Sequence, residues 1–269
     1  MPPELRIPGL GLAALLSAAI AGAGWRAGAL SGAGALAASV VGTVVLGAAG
    51  WAGGAALAAF FVSASLMSGA APARVAPEAD AKGNRRDPWQ VLANGGPAAL
   101  GSLLAWGEPS LALWIVTASL AAAAADTWAT SGGAWSRHPP RHLLSWRAVP
   151  PGTNGGVTAP GTLAAAVGAM LVAGTAAGVA RAPGLLPVGT LVGFGGMVLD
   201  SALGAGLQGR FECPACGVGS ERRAHRCGAR TLRRGGLAWL TNDGVNAIAT
   251  GAAAAAGWAA WAWLSPVRG

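Results

Sequence analysis

The sequence predicts an all-α fold, a single bundle of membrane-spanning helices that carries one small cysteine-rich loop. Three observations predict it. The 269 residues are 53% hydrophobic and only 10% charged. Mean hydropathy is +0.50. The apolar residues also fall in long Ala/Leu/Val/Gly runs that charge barely interrupts, as in a chain solvated by lipid rather than water.

A helix crosses a hydrocarbon core of ~30 Å with about 20 apolar residues. Eight runs approach that length, at 8–24, 36–50, 53–68, 91–106, 110–125, 157–180, 185–207 and 244–264. The number falls to seven if 36–68 is one long broken helix. The first run follows Arg6 and ends in small residues, as a signal peptide would, but the spans that follow make it an anchor. Residues 1–269 read as one integral membrane domain, with 208–242 inserted as a loop between the last two spans. Alanine and glycine supply little bulk, so the helices are expected to pack closely through small faces.

The net charge of +8 would point to nucleic acid in a soluble protein. Here it fits the excess of basic residues in cytoplasmic loops instead, and no nucleic-acid partner is expected. One loop holds Arg74, Lys82, Arg85 and Arg86, a second Arg137, Arg141 and Arg147, and a third Arg210, Arg222, Arg223, Arg226, Arg230, Arg233 and Arg234. Two spans separate each loop from the next, so all three can face the cytoplasm of a multi-pass protein in the cell membrane. Arg26 joins them there.

That orientation gathers most of the unusual polar residues at one edge of the membrane. Asp126 ends one span, Asp200 nears the end of another and Asp243 opens the last. Ionisable groups at a membrane boundary are costly and point to function. Two spans leaving the same face begin alike, as Asn94-Gly95-Gly96 and Asn154-Gly155-Gly156, each with a glycine five residues on. Asn caps helices, and glycine lets free amides point outward at the positive end of the dipole, an arrangement that binds phosphate. The expected site therefore has Asp126 and Asp200 holding Mg²⁺, with phosphate cradled by Asn94, Gly95, Asn154, Gly155 and Gly156. Thr127 and Thr153 adjoin these motifs, Gln208, Asn242, Asp243 and Asn246 add polar contacts to a nucleotide or head group, and Arg147 or Arg141 stabilises transferred charge. Phosphate-binding Walker and kinase glycine-loop signatures are absent, as is the Gly-x-Ser-x-Gly elbow, so such chemistry would lie outside the common soluble folds.

Cys213, Cys216, His225 and Cys227 cluster in "CPACGVGSERRAHRC". This is the composition of a Cys₃His zinc site, and four closed ligands in a reducing compartment indicate a structural ion. His138 and His142 have no cysteine near them and read as interface residues beside Trp135 and Trp146.

The blocks "QVLANGG", "ADTWAT", "PPGTNGGVT..G", "D...GA.LQ" and "WLTNDGVN", in this order, resemble the integral-membrane family called domain of unknown function 92, or the transmembrane protein 19 family. The likeness runs from about residue 58 to 251. Plant members of that family are similar to phytyl-phosphate kinase. The resemblance implies a prenyl-phosphate kinase, with an isoprenoid monophosphate in the membrane as acceptor and a nucleoside triphosphate such as CTP as donor. It also implies a common chemistry that does not use the cysteine loop. The chain departs from the family at Ser131, where a glutamate usually stands, which removes one metal ligand. The alternative is a transporter or lipid-translocating protein with an anion site at helix ends. A transporter would place its polar site near mid-membrane rather than at one edge.

Overall fold

The computed structural model describes residues 9–72, 85–220, 223–225 and 227–264. Arg6, Arg74, Lys82, Arg222 and Arg226, and the start of the first expected span, lie outside the described residues. Seven helices form the body: α1 (Leu10–Arg26), α2 (Gly32–Ala70), α3 (Pro88–Leu104), α4 (Pro109–Gly133), α5 (Ala159–Ala180), α6 (Leu185–Gly206) and α7 (Asn242–Leu264). Local sequence sets their starts. Ser31 caps α2 by accepting from the Gly34 amide. Asp87 and Gln90 form a reciprocal capping box at α3, with Pro88 in its first turn. Thr158 caps α5 by accepting from the Gly161 amide. Each arrangement satisfies amides that helix geometry leaves orphaned.

Five of the seven helices (α2, α4, α5, α6 and α7) are long and apolar enough to cross a membrane, whereas α1 and α3 have 17 residues each. The runs expected at 36–50 and 53–68 share one element, so seven helices are found rather than eight, as the broken-helix alternative allows. The reason lies in α2, whose 39 residues are interrupted at Gly50 alone, where φ is 65° and ψ is −161°. A side chain strongly disfavours that conformation, and glycine tolerates it. The chain reverses there: the position of a Cβ on Gly42 lies 3.8 Å from Leu57, and one on Gly54 would meet Leu46 at 2.7 Å. The two arms of α2 therefore pack side by side as a helical hairpin that turns at Gly50.

Helix α4 is the centre of the bundle. Of its most apolar stretch 72% is buried, against 22–44% for the other four long helices, and it packs on α2, α3, α5, α6 and α7. Its contact with α6 runs through glycines. A Cβ on Gly189 would meet Thr117 at 3.0 Å, one on Gly193 would meet Ala121 at 2.6 Å, and one on Gly196 would meet Ala122 at 2.5 Å. The partners advance together, so α4 and α6 run parallel with their backbones in close approach, as small residues permit in a membrane.

The loops between helices add two small sheets. Strands β1 (Arg141–His142) and β2 (Gly156–Val157) pair antiparallel; β3 (Arg210–Glu212) lies between β4 (Gly219–Ser220) and β5 (Leu232–Gly235). An ion pair between Arg234 and Glu212, 2.8 Å apart, joins β5 to β3. Gly193→Leu is expected to force α4 and α6 apart and lower the melting temperature of the detergent-solubilised protein, because overpacking a close contact costs ~1–3 kcal/mol or more. Gly195→Leu, at a position with nothing within 4 Å, is expected to leave the melting temperature unchanged.

Candidate functional site

The α4–α6 contact sets the position of the two acids. Gly196 packs on Ala122, and one helical turn further along each helix stand Asp200 and Asp126. Parallel helices in this register bring both carboxylates to the same level, near enough for their charges to interact. Both residues are half-buried, and Asp200 Oδ2 is buried with no hydrogen-bond partner among the described residues. An unsatisfied buried carboxylate oxygen costs more than the ~1–3 kcal/mol of a neutral group. Two facing carboxylates, one oxygen of which is uncompensated, match the hard-oxygen donor set of a divalent cation.

The Thr153–Gly156 turn lies against α6 about one turn beyond Asp200. A Cβ on Gly204, one turn beyond Asp200, would lie 3.3 Å from the Gly155 amide nitrogen and 3.8 Å from the Asn154 carbonyl carbon. Gly155, at φ 72°, presses on α6 so tightly that a Cβ there would come within 2.6 Å of the Ala205 Cα. Its carbonyl accepts from the Leu143 amide at 2.9 Å, and the Gly156 amide donates to the Thr153 carbonyl at the same distance. Gln208, buried at 3% exposure, places its Oε1 3.4 Å from the Cβ position of Gly204. Asp126, Asp200, Asn154, Gly155 and Gln208 are thus gathered around the end of α6 from distant parts of the sequence.

The structure corrects the helix-start role expected of the two Asn-Gly-Gly motifs. Asn154 sits in a turn, and Thr158 caps α5 four residues later. Asn94 lies inside α3, which Asp87 caps, and its Nδ2 donates to the Gln90 carbonyl at 2.9 Å. Gly95 packs on Val41 of α2, where a Cβ would stand 3.0 Å from the valine Cγ1. The motifs share letters but not structure, because the stronger caps Asp87 and Thr158 start the helices elsewhere.

The remaining expected residues divide between the two sides. Asn246 is buried on α7 at 9% exposure. Asp243, with Thr241 and Gly244, lines a cleft against Trp89 and Leu92 of α3, and Asn242 precedes it as the first residue of α7. The hydroxyls of Thr127 and Thr153 donate to the Ala123 and Pro150 carbonyls at 2.9 and 2.7 Å. Arg147 is exposed on the loop, while Arg141 donates to the Trp146 carbonyl at 2.9 Å. Neither arginine is tied to the acids by a hydrogen bond or ion pair among the described residues.

The same end of the bundle is braced from two directions. Trp128 Nε1 donates to Ser63 Oγ at 3.3 Å, joining α4 to the second arm of α2. Thr250 Oγ1 donates to the Ala93 carbonyl at 2.9 Å, joining α7 to α3. Arg86, counted in the sequence only as a loop charge, lies here as well. Its guanidinium carbon is 5.6 Å from the ring centres of Phe60 and Phe61, and its Nη1 is buried without a hydrogen-bond partner among the described residues. Burial pushes its pKa below the ordinary arginine value. The visible signal in the sequence is an arginine set immediately before the Asp-Pro start of a helix.

The four expected metal ligands of the cysteine loop do converge. One donor atom from each of Cys213, Cys216, His225 and Cys227 lies within 4.8 Å of all the others. Cys213 Sγ is 3.5 Å from Cys227 Sγ, Cys216 Sγ is 3.7 Å from His225 Nδ1, and His225 Nδ1 is 3.1 Å from Cys227 Sγ. Ligands held ~2.0–2.3 Å from a tetrahedral zinc stand ~3.3–3.8 Å apart, so the set fits that ion. The His225 ring, followed by the Ala229 backbone, draws the Cys227 thiol down to about 6, which favours the thiolate that metals bind.

Comparison with known proteins agrees with this architecture. The family model described as integral membrane protein DUF92 matches residues 15–254. The chain is 29% identical to Protein PGR of Arabidopsis thaliana over 199 residues, which cover 62% of this chain and 66% of that protein, just under two thirds of its length. It is 30% identical to an uncharacterized membrane protein of Synechocystis over 235 residues, covering 84% of this chain and 81% of the relative. No solved structure matches it significantly. The chain belongs to the integral membrane protein family DUF92.

Proposed function

We propose that the protein is an isoprenoid monophosphate kinase of the cell membrane, with its basic loops on the cytoplasmic side. The observation that carries this reading is the pairing of Asp126 and Asp200 with an uncompensated Asp200 Oδ2, supported by the sequence blocks that resemble a family whose plant members are similar to phytyl-phosphate kinase. In the proposed reaction an oxygen of the lipid monophosphate attacks the terminal phosphorus of a nucleoside triphosphate such as CTP. The bond from that phosphorus to the bridging oxygen breaks, leaving prenyl diphosphate and nucleoside diphosphate.

Asp126 and Asp200 would hold Mg²⁺, whose charge offsets the repulsion between the two phosphates. The chain's own contribution is positioning. The turn around Asn154 and Gly155, held on α6 about one turn beyond Asp200, offers backbone amides, and Gln208 and Asn246 offer neutral hydrogen bonds. Arg147 and Arg141 remain available on the loop for phosphate charge. Ser131, where the family's glutamate would stand, is buried at 5% exposure, so Asp126 and Asp200 supply the carboxylates of this centre.

Cys213, Cys216, His225 and Cys227 are proposed to hold structural Zn²⁺, on the strength of the convergence of their four donor atoms. The ion would fasten the loop between α6 and α7.

Asp126→Asn and Asp200→Asn are each expected to lower prenyl-phosphate kinase turnover per folded molecule by about 10²-fold or more, given the charge stabilisation a phosphoryl-transfer metal supplies. Melting temperature should hold or rise, since each change removes a buried like charge. Turnover at the wild-type level in both variants would remove the acids from the mechanism. Metal analysis of wild-type protein purified under reducing conditions without chelator is expected to find one zinc per chain. Cys216→Ser should lower zinc content and melting temperature together, while catalysis per folded molecule stays unchanged.

A further inference from the structure

An apolar groove, lined by neither Asp126 nor Asp200, runs between α1, the two arms of α2 and α3. Its walls include Ala38, Leu46, Leu57 and Ala58, and the wall from Ala38 to Leu46 extends about 12 Å along the first arm of α2. Ile20, another wall residue, is 54% exposed, so the groove reaches the outer surface of the bundle. One end is polar. Arg86, just before the start of α3, and Gln90 and Asn94, one helical turn apart on α3, line it.

Two of these polar groups are already engaged. Gln90 Oε1 accepts from the Asp87 amide at 3.1 Å, and Asn94 Nδ2 donates to the Gln90 carbonyl. Arg86 differs. Its backbone is clamped to the start of α2, its amide donating to the Ala29 carbonyl and its carbonyl accepting from the Ser31 amide, both at 3.0 Å. Phe60 and Phe61 hold its guanidinium, yet Nη1 is left buried without a partner among the described residues. Arginine stays protonated in proteins even when burial lowers its pKa. A fixed cation with unspent donors at the head of an apolar groove is complementary to an anion joined to a hydrocarbon chain.

We infer that this groove holds the tail of an anionic amphiphile, with Arg86 binding its phosphate head group. That the amphiphile is an isoprenoid monophosphate rests on the kinase reading; the groove and its charge do not. The groove then selects and retains the lipid, while the paired acids act on phosphate.

Equilibrium binding to purified protein in detergent, without nucleotide or added Mg²⁺, tests this with three probes: geranylgeranyl monophosphate, hexadecyl phosphate and geranylgeraniol. Arg86→Gln is expected to weaken both phosphates by about 10-fold or more, the scale of a lost charge-assisted hydrogen bond, and to leave the alcohol unchanged. Ala58→Phe, which fills the groove, should weaken all three. A folded Arg86→Gln variant that binds both phosphates as tightly as the wild type would overturn the inference. If that variant does not fold, unchanged binding of all three probes by Ala58→Phe would overturn it instead. Arg86-dependent binding of both phosphates without turnover of either would keep the groove and reject the kinase reading. Turnover with phosphate binding indifferent to Arg86 would do the reverse.

Discussion

The contact between α4 and α6 is the constraint on which the rest of the site depends. Lipid removes most of the hydrophobic drive that brings helices together in water, so close packing of small residues must do that work. Gly193 and Gly196 allow α6 to lie directly on Ala121 and Ala122. Because the two helices run parallel, the same register that packs these residues brings Asp126 and Asp200 side by side one turn later. A bulkier interface would leave each acid alone against lipid or another helix. Two carboxylates sharing a buried place are unfavourable by themselves, and the uncompensated Asp200 Oδ2 makes a bound cation the simplest physical complement.

The surrounding elements extend that end of the bundle in different directions. The turn around Gly155 rests on Ala205, about one turn beyond Asp200, while the cysteine loop lies further along the chain, beyond Gln208. On the other side, the reversal of α2 at Gly50 leaves a groove against α1 and α3 whose polar end is Arg86. The proposed division of labour follows from this layout. Lipid binding would rest on the α2 hairpin, phosphate chemistry on α4 and α6, and loop stability on the cysteines.

Much of this was legible in the sequence because it depends on local pattern. Apolar run lengths located the helices closely, charge interruption placed Asp126 and Asp200 toward one edge, and the spacing of Cys213, Cys216, His225 and Cys227 identified a cluster that does converge. What failed depends on tertiary placement or on competition between local signals. The Asn94 and Asn154 motifs looked like helix starts, but the capping box at Asp87 and the Thr158 hydroxyl provide stronger ones nearby. The sequence left open whether 36–68 is two spans or one broken helix, because the break rests on a single glycine, Gly50, whose backbone conformation only the fold reveals. Arg86 was indistinguishable from its neighbour Arg85 until the fold set Phe60 and Phe61 against it.

Titration with Mn²⁺, a paramagnetic stand-in for Mg²⁺, followed by electron paramagnetic resonance, tests the central claim most directly, since it reads the metal site without requiring turnover or a known lipid. The wild-type protein, with its zinc retained, is predicted to bind one Mn²⁺ per chain in competition with Mg²⁺, and the Asp126→Asn/Asp200→Asn double variant none. Equal Mn²⁺ binding by the folded double variant would contradict the account.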